Sequence, residues 1–143
     1  MTNFIDPPRP LNDFPVSAHF RLCEFEDPTT KQVMLDPALV AVLEQIRFHI
    51  GIPLFITSGY RTPEHNRSVG GLENSRHLTG HAADAVPVDG NVVRMVDELL
   101  ALGIRRDQLQ VGVPVDGDVA NNLRARGIQV TVPERLHVHV ETD

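Results

Sequence analysis

The chain has 143 residues, 41% of them hydrophobic and 22% charged, a composition ordinary for one globular domain and unlike that of a disordered chain. A domain of this size can bury roughly two thirds of the surface its unfolded chain exposes. The formal net charge of −6, with Lys and Arg dispersed, argues against a nucleic-acid partner, which would need a basic patch or stripe, and no apolar run reaches membrane-spanning length.

Prolines at positions 7, 8, 10 and 15 each fix φ and remove a backbone donor. Residues 1–18 are therefore expected to form an extended N-terminal arm on the surface of a domain spanning residues 19–143. The same stretch lacks the basic and apolar regions of a signal peptide, so the expected place of synthesis is a cytoplasm. HFRLCEFEDP, residues 19–28, sets Phe20, Leu22 and Phe25 among charges and reads as a short docking element, with neither helix nor strand favoured. The lone Cys23 has no internal disulfide partner and reads as a small buried hydrophobe.

Asp36 followed by Pro37 is a strong helix start, and Gly51 supplies the stop. Between them Leu39, Leu43, Ile46 and Ile50 make one apolar stripe for the core. PLFITS, residues 53–58, is short, apolar and rich in β-favouring types, and predicts a buried strand. Thr62 and Pro63 then cap a short helix that Gly70 and Gly71 end, which puts Arg61 at the exit of the strand, where functional side chains are common. AADAV predicts a second core strand. A helix follows across NVVRMVDELLAL, with Val92, Val96 and Leu99 as its stripe and Gly103 as its stop. QLQVGV, residues 108–113, alternates like a strand, Asp118 is expected to cap a short helix ending near Gly127, and IQVTV and RLHVHV predict the last strands. The implied class is α+β, a small, mainly antiparallel sheet flanked by helices.

The chemistry concentrates in two places. SRHLTGHAAD, residues 75–84, gathers His77, His81 and Asp84 about a glycine, and two of these three resemble metal ligands. A catalytic zinc site takes three protein donors and leaves a fourth position open. The third donor has to come from the other dense histidine cluster, LHVHVE, in which a strand's alternation turns His137, His139 and Glu141 to one face. An isolated HxH is more often a pair of exposed polar residues, and it is the first cluster that shifts the balance towards a metal.

SGYRTPEHNRSVGGLENSRHLTGHAAD followed by a late HVHV resembles the zinc D-alanyl-D-alanine carboxypeptidase family, which includes phage L-alanyl-D-glutamate endopeptidases and the vancomycin-resistance dipeptidase. That family shares its fold with the hedgehog signalling domain. The SxHxxGxAxD pattern is met at Ser75, His77, Gly80, Ala82 and Asp84. The resemblance implies a hedgehog/D,D-peptidase-like fold over residues 19–143 and one zinc ion held by His77, Asp84 and His139. It also implies that Arg61 binds or polarises the substrate, and that Ser75 contacts substrate or orients its loop. His81 falls at a variable position of the pattern and is expected outside the site.

The catalytic base is open to two registers. Some branches carry a Glu three residues before the late zinc histidine; Leu136 stands there for His139, whereas Glu134 stands there for His137. The favoured register keeps His139 as ligand and His137 as the acid/base or transition-state group. The alternative makes His137 the ligand and Glu134 the base.

The implied activity is zinc-dependent hydrolysis of peptidoglycan stem peptides at a D-Ala-D-Ala or an L-Ala-D-Glu bond, by a monomer with neither nucleic acid nor membrane as partner. A phage or prophage lytic enzyme, or a cytoplasmic dipeptidase, would suit the lack of a secretion signal. The alternative from another class is a zinc-binding module of the same fold without turnover, which binds the cell wall or is structural. A metal-free scaffold is the third.

Overall fold

In the computed structural model, which describes residues 10–143, Asp36 accepts a hydrogen bond from the Ala38 N–H at 3.2 Å and Pro37 opens helix α1, Pro37–Ile50. Gly51 ends that helix in the left-handed region, at φ 71°. Leu39, Leu43, Ile46 and Ile50 are all buried, and burial of each contributes about 1.5–3 kcal/mol. The remaining elements follow the expected order: β1 Leu54–Ser58, α2 Pro63–Ser68, β2 Ala82–Pro87, α3 Val92–Ala101, β3 Leu109–Gly112, α4 Asp118–Ala125, β4 Gln129–Thr131 and β5 His137–Glu141. Short 3₁₀ turns occupy Leu22–Phe25, Arg76–Thr79 and Arg106–Gln108. The docking element around Phe20 and Phe25 is thus a turn, and both rings are buried in edge-on contact. Asp118 is the first residue of α4 and Gly117 is its cap, one position from the expected arrangement.

The five strands are ordered β1-β2-β5-β3-β4. All neighbours are antiparallel except β3 and β4, which run parallel and need the crossover that α4 supplies. The class is α+β, as the sequence predicts. Period-two alternation divides the sheet into two chemistries. Ala83, Ala85, Val138, Val140, Leu109 and Val111 form an apolar face within the core cluster that includes the stripes of α1 and α3. The alternate positions, Asp84, His137, His139, Glu141 and Gln110, fall on the opposite, polar face. A register shift between Ile56 and Ser58 puts a bulge in β1 beside Asp84, a usual device for re-aiming a side chain next to a functional site.

Residues 1–9 of the expected arm lie outside the described residues. Residues 10–18 fold back in turns: Asn12 Nδ2 donates to Glu26 Oε2 and to the Lys31 carbonyl, both at 2.7 Å, and Ser17 Oγ donates to Glu44 Oε1 at 2.7 Å. Cys23, expected to be buried, is half-buried. Burial and the nearby Asp13, Glu24 and Glu26 carboxylates push its thiol up, which disfavours the reactive thiolate. No helix among the described residues is long and apolar enough to cross a membrane.

One buried carboxylate ties this N-terminal region to the loop after β1. Asp27 is fully buried; its Oδ1 accepts from the Thr29 and Thr30 N–H groups at 2.9 and 3.0 Å, and its Oδ2 from the Thr62 N–H at 3.0 Å and the Thr62 hydroxyl at 3.3 Å. Burial alone would raise its pKa, but the backbone donors outweigh it and lower it to about 2. Asp27→Asn turns an NH₂ towards these donors and should cost about 1.5–3 kcal/mol in urea denaturation at neutral pH. Because the folded pKa lies below the ordinary 3.8, this stabilisation is fully present above 3.8 and is lost as pH falls towards about 2. The difference between wild type and variant should accordingly be constant from pH 7 to pH 5 and shrink in the acid range.

Candidate metal centre and active-site cleft

His77 comes from the 3₁₀ turn between α2 and β2. The Ser75 hydroxyl caps that turn by accepting from the His77 N–H at 3.3 Å, and Gly80 ends it at φ 74°. A side chain at Gly80 would strike the backbone of Met34, so this turn can pack here only with glycine at that position. Asp84 follows on β2, and His139 stands opposite it on β5.

His77 is 2% exposed, and its Nδ1 lies 2.7 Å from the Gly59 carbonyl oxygen. A carbonyl can only accept, so Nδ1 carries the proton and Nε2 is the nitrogen aimed at the cluster. That Nε2 is 3.4 Å from Asp84 Oδ1, while His139 Nδ1 is 2.9 Å from the same oxygen. The two imidazoles meet edge-on, with centroids 5.0 Å apart. One donor atom from each of His77, Asp84 and His139 lies within 4.8 Å of the other two. Burial would raise the Asp84 carboxyl, but hydrogen bonds from His139 and His77, together with the positive charge those rings can carry, hold it well below the usual carboxylate range. The group is an anion faced by two ring nitrogens, an arrangement that requires either protons or a metal cation between its members.

Arg61 closes the cluster from the β1 side. Its Nη2 is 3.5 Å from Asp84 Oδ2, its Nε donates to Ser58 Oγ at 3.2 Å, and its Nη1 donates to Asn66 Oδ1 at 3.3 Å. Burial draws the guanidinium below its ordinary pKa, and the Asp84 charge opposes that shift. The buried Asn66, which has no signature in the sequence, also donates to the Leu72 carbonyl at 2.8 Å and so fixes the loop after α2.

Arg61, His77, Asp84 and His139 line a cleft of about 640 Å³ together with Ser75, His137 and Glu141. His137 faces Gly112 across the β3–β5 pair, and a Cβ at residue 112 would lie against its ring and Pro133, so the ring rests where only glycine leaves room. His137 Nδ1 lies 3.1 Å from the Arg135 carbonyl oxygen. Glu134, by contrast, is exposed in the loop before β5 and does not line the cleft. His81 also lies outside it, with Nδ1 2.9 Å from the Thr79 hydroxyl. Gln110, Gln129 and Arg76 line the cleft without having been singled out in the sequence; Glu141 was legible there only as a member of the histidine face.

The family described as Peptidase M15 matches residues 18–106, more than half of the chain. The chain belongs to the Peptidase M15 family. The matched span holds Arg61, Ser75, His77 and Asp84 and ends before His137 and His139, so the β5 half of the candidate site rests on the geometry above. No curated protein matches the chain. Among solved structures it is similar to the crystal structure of the Serratia marcescens L-Ala D-Glu endopeptidase ChiX, at 19% identity and a TM-score of 0.43, over 76% of this chain and 80% of that one.

Proposed function

We propose that this member of the M15 family is a zinc-dependent peptidase acting on peptidoglycan stem peptides, with His77, Asp84 and His139 as the metal ligands. The observation that carries the reading is the convergence of two imidazoles and one carboxylate within 4.8 Å of one another at a cleft. Two His and one carboxylate is a donor set of the catalytic zinc type, three protein ligands with a further position free. The group therefore fits the residues present. When bound, zinc would supply water acidified to a pKa of about 7 and a Lewis acid for the scissile carbonyl.

The chain's own residues supply the rest. The Gly59 carbonyl fixes the His77 tautomer and ring plane, the kind of outer partner that orients a metal-binding histidine. Arg61 holds the substrate's carboxylate or its scissile carbonyl oxygen through a planar fork that Lys could not copy. The Ser75 hydroxyl orients the 77–80 turn and borders the bound peptide. With Nδ1 of His137 donating to the Arg135 carbonyl, Nε2 is the atom that takes a proton and returns it to the leaving amine.

The test is metal content and hydrolysis measured on one preparation. One equivalent of zinc, loss of muropeptide cleavage on chelation and its return on zinc addition are the expected results. Stoichiometric zinc without cleavage of any muropeptide would leave a binding module, and no zinc uptake on reconstitution would end the metal assignment.

A further inference from the structure

The cleft is longer than the three-residue cluster needs. Ser58, Asp84, His139, Gln110 and Gln129 stand opposite one another in a single register row across β1, β2, β5, β3 and β4. Arg61 is bonded to Ser58 and Asp84, so it occupies the β1–β2 end of the row. Neighbouring strands lie about 4.8 Å apart, which carries the row roughly 10 Å beyond His139 on the side away from Arg61. An extended peptide advances about 3.3 Å per residue, so that reach suits roughly three residues.

The chemistry of this far end is specific. Gln110 and Gln129 both line the cleft, and among the described residues neither side-chain amide enters a hydrogen bond. The charges nearby are paired: Glu141 with Arg76 at 3.6 Å and Asp107 with Arg105 at 3.0 Å. A chain lying there meets two amides that each donate and accept without net charge, the complement of a peptide backbone.

We infer that Gln110 and Gln129 form a peptide-chain subsite, on the side of the His77, Asp84 and His139 cluster remote from Arg61, which makes an oligopeptide the preferred substrate over a dipeptide. This rests on the proposed reading of the site as a peptidase. Wild type and Gln110→Ala, Gln129→Ala and double variants, checked for equal zinc content and equal thermal melting, are assayed on a stem pentapeptide containing both an L-Ala-D-Glu and a D-Ala-D-Ala bond, and on the two corresponding dipeptides. Each substitution should lower kcat/KM on the pentapeptide by roughly 10-fold, mainly through KM, and leave dipeptide cleavage within about 2-fold. An unchanged pentapeptide rate in the double variant, or an equal loss on long and short substrates, overturns the subsite. If wild type cleaves none of these peptides, the peptidase reading fails separately. The subsite is then decided by titrating the uncleaved pentapeptide: weakening of roughly 10-fold or more in the double variant upholds it, and equal affinity overturns it.

Discussion

His77→Ala should abolish stoichiometric zinc binding and lower kcat/KM on a muropeptide by roughly 10³-fold or more. A metal at a hydrolytic centre supplies several kcal/mol of transition-state stabilisation, and each 1.36 kcal/mol is a factor of ten. The neighbouring histidine in the chain, His81, is not placed to substitute: its Nδ1 is engaged with Thr79 and it does not line the cleft. His81→Ala should therefore retain both zinc and activity, which makes it the matched control. Because His77 is buried, its loss also leaves the Gly59 carbonyl without its donor, so folding has to be checked by circular dichroism. Asp84→Asn separates the two effects. It keeps the shape, removes the negative charge between two imidazoles and a guanidinium, and should weaken zinc binding in a protein that still melts cooperatively. Full zinc occupancy and wild-type turnover in His77→Ala would remove this residue from the ligand set.

The helices and strands were legible because their signals are local. Asp36-Pro37 and Gly51, Thr62-Pro63, and the alternation of RLHVHV each act within a few residues, and each produced the expected element. The division of β5 into an apolar and a polar face followed from period two alone. What the sequence could not supply was register between strands. The pairing of Asp84 with His139, rather than with His137, depends on how β2 and β5 slide against each other, and the row that continues to Gln110 and Gln129 depends on two further pairings. Two glutamines separated by α4 and its flanking loops carry no periodic or motif signal that would join them to a histidine pair. Asn66 was hidden for a similar reason. It sits inside a short helix with an ordinary polar neighbourhood in sequence, and its role as anchor of both Arg61 and the Leu72 loop arises only when the chain turns back on itself.

The same register argument gives the last prediction, which concerns the base. His137→Gln should retain about one equivalent of zinc and lose roughly 10²–10⁴-fold in kcat, the usual contribution of a positioned acid or base. Glu134→Gln should change kcat by no more than about 2-fold, since that carboxylate is exposed and lies outside the cleft. The contrast is sharp because the alternative register reverses both outcomes: with His137 as ligand and Glu134 as base, His137→Gln would lose zinc and Glu134→Gln would keep zinc while losing turnover. Geometry favours the first pattern. The three-residue cluster closes through His139, two residues beyond His137 on the same face of β5, and this leaves the His137 ring in the cleft over Gly112 with its Nδ1 tied to the Arg135 carbonyl. A group held in that way presents a single free ring nitrogen at a fixed position, which is what proton transfer to a leaving amine requires. Zinc content and single-turnover cleavage, measured on the same two variants, decide between the registers without any assumption about which peptide bond is cut.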